Sequence, residues 1–293
     1  ESGHVSGCPM TSPRLDVMAV TERSTPEFSP DALPPMEVAS RVARLRGLVD
    51  DAQCDALVVT ELTNIRYLTG FTGSAAVLLV GPEELLFVSD GRYQTQSHQQ
   101  LEAAGVDARI EIVAADPEAV IADAAADAGV VRLGLEAGSV SWAQQRRWAK
   151  TLFTSGELVA TGGLVEELRL VKDGGEAARI RSACAIADRA LAEIRGRLLD
   201  GPTELELALE LDTTMRRLGA EDVSFETIVA SGPNGAKPHH RPSRRRIAEG
   251  DLVVLDFGAL VDGYHSDMTR TLAVGDIGPD RARMLDVVLE SQE

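Results

Sequence analysis

Apolar residues recur at helical spacing at Val38, Val42, Leu45, Leu48 and Val49, which predicts an amphipathic helix at the start of the first folded segment. The unbroken run Ala56-Leu57-Val58-Val59 predicts a buried strand. Residues 75–80 and 85–88 predict a hairpin turned at Gly81-Pro82. A helix near 93–104, a strand at 109–113, an Ala-rich helix near 117–128 and a strand at 131–135 follow. Strands alternating with helices imply an α/β layer domain. No catalytic residue types cluster in this half.

The pattern changes near Thr161-Gly162-Gly163. Ile180, Ala183, Ala187, Leu191, Ile194 and Leu198 draw one face of a long helix over 176–199, which Gly201-Pro202 breaks. Thr203 with Glu206 three residues on forms a capping box for the next helix, expected to run to about 218. From Phe225 the pattern is strand and turn. Met284, Leu285, Val287, Val288 and Leu289 predict a last helix that no Gly, Asn or Pro closes, so the sequence reads as C-terminally truncated. Six of the 13 prolines lie in the first 35 residues, and the first residue is Glu1 rather than Met; that stretch reads as a disordered leader. The expected organisation is therefore a leader over 1–35, an α/β domain over 36–163 and a second domain over 164–293.

Composition narrows the chemistry. The chain has 293 residues, 44% hydrophobic, enough apolar material for real cores. Lys plus Arg number 29 against 46 Asp plus Glu, a net charge of −17. So acidic a chain repels phosphate backbones and anionic membranes, so no nucleic-acid or membrane partner is expected; basic groups and metal cations are the natural ligands. Cys8, Cys54 and Cys184 form no CxxC motif and leave one thiol unpaired in any disulfide scheme, which suits a reducing cytoplasm. No apolar run approaches the roughly 18 residues of a membrane span.

The informative segment is DLVVLDFGALVDGYHSDMTRTLA, residues 251–273. Leu252 to Leu255 form an apolar strand ending in Asp256. Asp262-Gly263 is a hairpin signal, and the return strand carries Asp267. With a tip at Val261-Asp262, opposed residue numbers sum to 523 and Asp256 faces Asp267. With the tip at Asp262-Gly263 the sum is 525 and the two are diagonal. Side chains alternate faces along a strand, so both registers leave the carboxylates on one face. Such a pair is either two solvated surface aspartates or part of a divalent-cation site, since like charges so close need a proton or a cation between them. His265, Thr269 and Thr271 share that face; the histidine reads as an ordinary exposed or packed residue, the threonines as strand formers.

Upstream, SGPNGAKPHHRPS over 231–243 is a Gly- and Pro-rich loop with His239-His240 after Pro238. Arg244-Arg245-Arg246 reads as a solvated run in so acidic a chain.

Taken together, SGPNGAKPHHRP and LVVLDFGALVDGYHSDMTRT resemble the creatinase/prolidase/methionine-aminopeptidase group of "pita-bread" metallopeptidases, in the Xaa-Pro aminopeptidase and Xaa-Pro dipeptidase branch. VEELRLVKDGGEAARIRSACAIADRAL resembles that branch's entry into its catalytic domain, and NIRYLTGFTGSAAVLLV and SDGRY resemble its N-terminal domain. The likeness covers residues 36–293.

The resemblance implies a creatinase-type N-terminal α/β domain with ribonuclease-H-like layers, then an α+β pita-bread domain that is incomplete at its C-terminus. It implies two divalent ions, Mn or Co with Zn as a further candidate, held by two Asp, one His and two Glu. Asp256 matches the first metal-binding Asp and Asp267 the bridging one. His239 matches the catalytic histidine beside the scissile bond, and His240 is a substrate-binding candidate next to it. The implied reaction is hydrolysis of the Xaa-Pro bond of dipeptides or peptide N-termini by a metal-bridging hydroxide. Proline-containing peptides are the implied partners and a homodimer the implied assembly. The family's later His and two Glu have no match before Glu293, so this polypeptide is expected to bind metal weakly and to have little activity. A non-catalytic pita-bread binding protein and a metal-free creatinase-like amidinohydrolase are the alternatives; neither requires the Asp pair.

Overall fold

The computed structural model describes residues 33–292. The leader expected over 1–35 lies almost wholly outside them. The chain forms two compact units, one over Pro35–Gly175 and one over 176–292 with Leu33 and Pro34.

The first unit contains a six-stranded mixed sheet. In chain order its elements are α1 (Arg41–Asp51), β1 (Ala56–Val59), α2 (Leu62–Thr69), β2 (Ala76–Val80), β3 (Leu85–Asp90), α3 (Gln94–Ala103), β4 (Arg109–Val113), α4 (Pro117–Asp127), β5 (Arg132–Glu136), α5 (Trp142–Arg147), β6 (Glu157–Thr161) and α6 (Leu164–Leu170). The strand order is β4-β3-β2-β1-β5-β6. Leu57 and Val59 of β1 enter one core layer with Leu45, Leu68 and Leu101, whereas Ala56 and Val58 enter the other with Ile121, Ala125 and Trp148. Burial on both faces is why β1 is a continuous apolar run rather than an alternating one.

Four elements of this unit escape the sequence pattern: α2, α5 with the π-helical turn Trp148–Leu152 that continues it, β6 and α6. For α2 the reason is tertiary. The carboxylate of Glu136, 8% exposed, accepts from the backbone N–H of Thr60 (2.7 Å) and Glu61 (2.9 Å) and from Asn64 Nδ2 (2.7 Å). It therefore satisfies amides at the start of α2 that no neighbouring residue reaches. Burial pushes the Glu136 carboxyl above its ordinary range against those hydrogen bonds. Val165 and Leu168 of α6 pack into the core of this first unit, which extends to Gly175, 12 residues past the 163 boundary that the composition suggests (175 − 163).

In the second unit, α7 (Gly174–Ile194) tightens into a 3₁₀ segment, Arg195–Asp200, where the sequence predicts one continuous helix to 199. The capping box of Thr203 and Glu206 opens α8 (Glu204–Arg217) as predicted. After these come β7 (Asp222–Val223), β8 (Ile228–Ser231), a 3₁₀ turn (Gly232–Ala236), β9 (Leu252–Phe257), β10 (Ala259–Val261), β11 (Tyr264–His265), β12 (Met268–Ala273) and α9 (Gly278–Gln292). The strands make two antiparallel three-stranded sheets, β12-β9-β8 and β11-β10-β7. Val253, Leu255 and Phe257 of β9 pack with Ile186, Ala190 and Ile194 of α7 and with Leu207 and Leu211 of α8. The opposite face of β9, with Val254 and Asp256, is left half-buried.

Candidate metal and substrate site

The hairpin that carries the aspartates turns at Asp262 (φ +46°) and Gly263 (φ +80°), two left-handed residues in sequence as a type I′ turn requires. Pairs Leu260–His265 and Met268–Phe257 both sum to 525, so the chain takes the second of the two expected registers. The return strand is not continuous. It divides into β11 and β12 around Ser266 and Asp267, while the outgoing strand divides at Gly258. There the backbones approach so closely that a Cβ on Gly258 would lie 1.9 Å from the Ser266 carbonyl oxygen. Ser266 mends the gap: its N–H donates to the Ala259 carbonyl (2.9 Å), its Oγ accepts from the Ala259 N–H (2.9 Å), and the hydroxyl donates to Ala183 of α7 (3.2 Å).

This fixes the two carboxylates. Ser266 is buried toward α7, so its neighbour Asp267 turns outward and is exposed. Thr269, two residues on, stands opposite Asp256 and donates its hydroxyl to Asp256 Oδ1 at 2.9 Å. Asp256, Thr269 and Asp267 therefore occupy the face of the sheet away from the helices. His265 is exposed and belongs to the other sheet. Among the described residues, neither aspartate has a Lys, Arg or His partner within salt-bridge distance.

In kind, two carboxylates without a protein cation fit a hard divalent ion. In number they fall short of a coordination shell: among the described residues no group of three or more His, Cys, Asp or Glu is gathered to hold a metal.

The histidine loop leaves β8, which pairs with β9 so that Ile228 stands opposite Asp256. A Cβ at Gly235 would touch Val254 Cγ2 at 3.6 Å, so the 3₁₀ turn lies against the same face as Asp256. His239 is exposed. His240 is turned inward, its side chain 11% exposed and its Nε2 2.8 Å from Glu204 Oε2.

Glu204 is the residue that sequence reasoning missed. Its side chain is fully buried (0% exposed). Its Oε1 accepts from Ser231 N (2.8 Å), Ser231 Oγ (2.7 Å) and Asn234 Nδ2 (2.9 Å), and its Oε2 from Ser243 N (3.1 Å) and Ser243 Oγ (2.6 Å) as well as His240. Burial alone would raise its pKa; the hydrogen bonds outweigh it and hold the carboxyl far below the ordinary range. A signal was present. Positions 204, 207, 208, 211 and 215 form the buried stripe of α8, and a glutamate on that stripe is out of place unless it is fully partnered. The arginine run also has a structural member: Arg245 forks onto Asp251 (2.7 and 3.0 Å) and donates to Ser231 Oγ at 2.5 Å.

Residues 178–293 match the model of metallopeptidase family M24, and residues 41–171 match the creatinase/prolidase N-terminal domain. An uncharacterized peptidase of Bacillus subtilis (strain 168), YqhT, is 35% identical over 254 residues, which span 86% of this chain and 70% of that one. The chain belongs to metallopeptidase family M24. Its architecture is the creatinase N-terminal domain followed by the pita-bread fold. Another relative of this M24 chain is an Xaa-Pro dipeptidase of Pyrococcus furiosus, 30% identical over 86% of this chain and 70% of the relative. Among solved structures, an Xaa-Pro dipeptidase from Bacillus anthracis superposes with a TM-score of 0.82 at 35% identity, covering 87% of this chain and 70% of the other. Among the described residues of the M24 chain, no helix is long and apolar enough to cross a membrane.

Proposed function

We propose that this M24 chain takes part in hydrolysis of the Xaa-Pro peptide bond, with Asp256 and Asp267 holding divalent cations and His239 meeting the substrate. The observation that carries the proposal is the common face: two carboxylates without a protein cation, with the His239 loop lying against the same side of the sheet. Asp256 and Asp267 would hold the divalent cations, Mn or Co first, which would supply Lewis acidity toward water and the scissile carbonyl. Asp256 engages Thr269 through Oδ1, which leaves Oδ2 to face a cation. His239 donates an imidazole N–H to the scissile carbonyl oxygen as negative charge develops there. The proline nitrogen has no N–H, so recognition of the bond rests on the carbonyl and the free amine of the substrate. An acidic surface favours that ammonium group.

The chain is further proposed to work as a homodimer in the cytoplasm, where its free Cys54 and Cys184 stay reduced; light scattering on the purified protein tests the dimer. The activity test compares an Xaa-Pro with an Xaa-Ala dipeptide, with Mn, Co, Zn or chelator present. Metal-dependent cleavage confined to the proline substrate supports the proposal, and cleavage indifferent to chelator overturns it.

A further inference from the structure

The loop over 231–243 contains three prolines, Pro233, Pro238 and Pro242, and only a short 3₁₀ turn of regular structure. Its backbone does little to hold itself: Lys237 donates to Asn234 O (3.0 Å) and His240 to Lys237 O (3.2 Å). What fixes it is the carboxylate of Glu204. Ser231 and Asn234 are gripped before His239, and His240 and Ser243 after it. Six donors converge on two oxygens that offer about four lone-pair sites, so no site is left empty. A carboxylate held ionised can only accept, so His240 must donate from Nε2, which sets its tautomer. Arg245 closes the arrangement from outside: its bond to Ser231 Oγ leaves that hydroxyl's proton for Glu204. His239 lies between the anchors Asn234 and His240 but outside the cage, exposed and next to a neighbour pinned at 2.8 Å.

We infer that Glu204 is a positioning residue: a buried carboxylate at the start of α8 that holds the His239 loop in one conformation against the Asp256 face. The inference rests on the proposed role of His239. An ionised carboxylate costs a great deal to bury and is tolerated only when every oxygen is partnered. Here the partners all belong to one loop and its two ends, so the cage orders that loop before substrate arrives. Misplacement of a reacting group by about 1 Å costs on the order of 100-fold in rate.

The test uses the whole chain. Hydrogen–deuterium exchange is followed without added metal in the wild type, in Glu204→Gln, which keeps the shape but turns an amide toward donors, and in the milder Ser243→Ala. Expected is exchange about tenfold faster or more for amides of 231–243, with β9 and β12 unchanged, since lost hydrogen bonds open only the segment that made them. Exchange raised evenly over the whole unit, or not raised at all, overturns the inference. If Glu204→Gln does not fold, Ser243→Ala decides by the same criterion. A kinetic cycle on an Xaa-Pro dipeptide with Mn then separates the two proposals. Glu204→Gln and His239→Ala are each expected to lower kcat by about 100-fold with little change in KM, and the double variant to lower it no further. Additive losses overturn the positioning role. A His239→Ala variant with full activity overturns the role of His239 instead; in that case, as with a wild type without turnover, the exchange data alone decide whether Glu204 anchors the loop.

Discussion

Thr269 donates its hydroxyl to Asp256 Oδ1 across the β9–β12 ladder, at 2.9 Å and in direct register. A carboxylate oriented by a neutral donor keeps its full charge for a cation while losing rotational freedom. Thr269→Val keeps the branched shape that suits a strand and removes the donor. Affinity for Mn, measured by calorimetry, should fall about tenfold, and Thr269→Ser should restore most of it.

Asp267 is exposed and, among the described residues, without a cationic partner, so its charge contributes little to the fold. Asp267→Asn should leave stability without metal within about 0.5 kcal/mol of wild type. It should also abolish stabilisation by Mn, which for an intact site would reach about 2.7 kcal/mol at a hundredfold excess over Kd. Thermal melts with and without Mn measure both quantities. A metal-dependent rise in Tm that survives in Asp267→Asn removes this residue from the site.

Two of the buried glutamates, Glu204 and Glu136, should titrate in opposite senses. Glu204 has a folded pKa below the ordinary 4.5, so its contribution to stability is present above pH 4.5 and is lost as pH falls toward its depressed value. Glu136 has a folded pKa above 4.5, so its contribution is present below pH 4.5 and is lost as pH rises through its elevated value. Carboxyl 13C titration should place the Glu136 midpoint above 4.5 and that of Glu204 below it. Glu204→Gln should cost about 2–5 kcal/mol at neutral pH, because buried donors lose their acceptor, and the deficit against wild type should shrink below pH 4.5.

At Gly258 the two strands of the aspartate hairpin come too close for any side chain. Gly258→Ala would force a Cβ against the Ser266 carbonyl and the Ser224 side chain, and the neighbours in the way are mostly backbone. A loss of well over about 1 kcal/mol is expected in denaturant unfolding. Because Ser266 precedes Asp267, metal affinity should fall in the same variant.

What the sequence could and could not reveal follows from the range of the forces involved. The strand β1 and the capping box of α8 are readable because their determinants are neighbours in the chain. The aspartate face is readable because alternation keeps its phase in either even register; the choice between sums of 523 and 525 also had a local sign, since Asp262-Gly263 accepts the left-handed backbone of a tight hairpin turn and the β-branched Val261 does not. The helix α2 depends on Glu136, 75 residues beyond Glu61, and eight residues that include Asn64 and Arg66 carry too little pattern to announce it. Glu204 is held by donors lying 27 to 39 residues downstream. Its one local sign, a charge on an apolar stripe, says that partners must exist without naming them. The inward turn of His240 follows from that carboxylate and from nothing in the loop.

The order β12-β9-β8 places the strand just after Asp267 on the outside of its sheet, and among the described residues β12 pairs only with β9. Its outer row of amides and carbonyls is thus a template onto which a strand of another molecule could zip. A net charge of −17 keeps such molecules apart, and added salt shortens that repulsion to about 8 Å at physiological strength. The same chain should therefore stay dispersed in dilute buffer and turn cloudy as ionic strength rises.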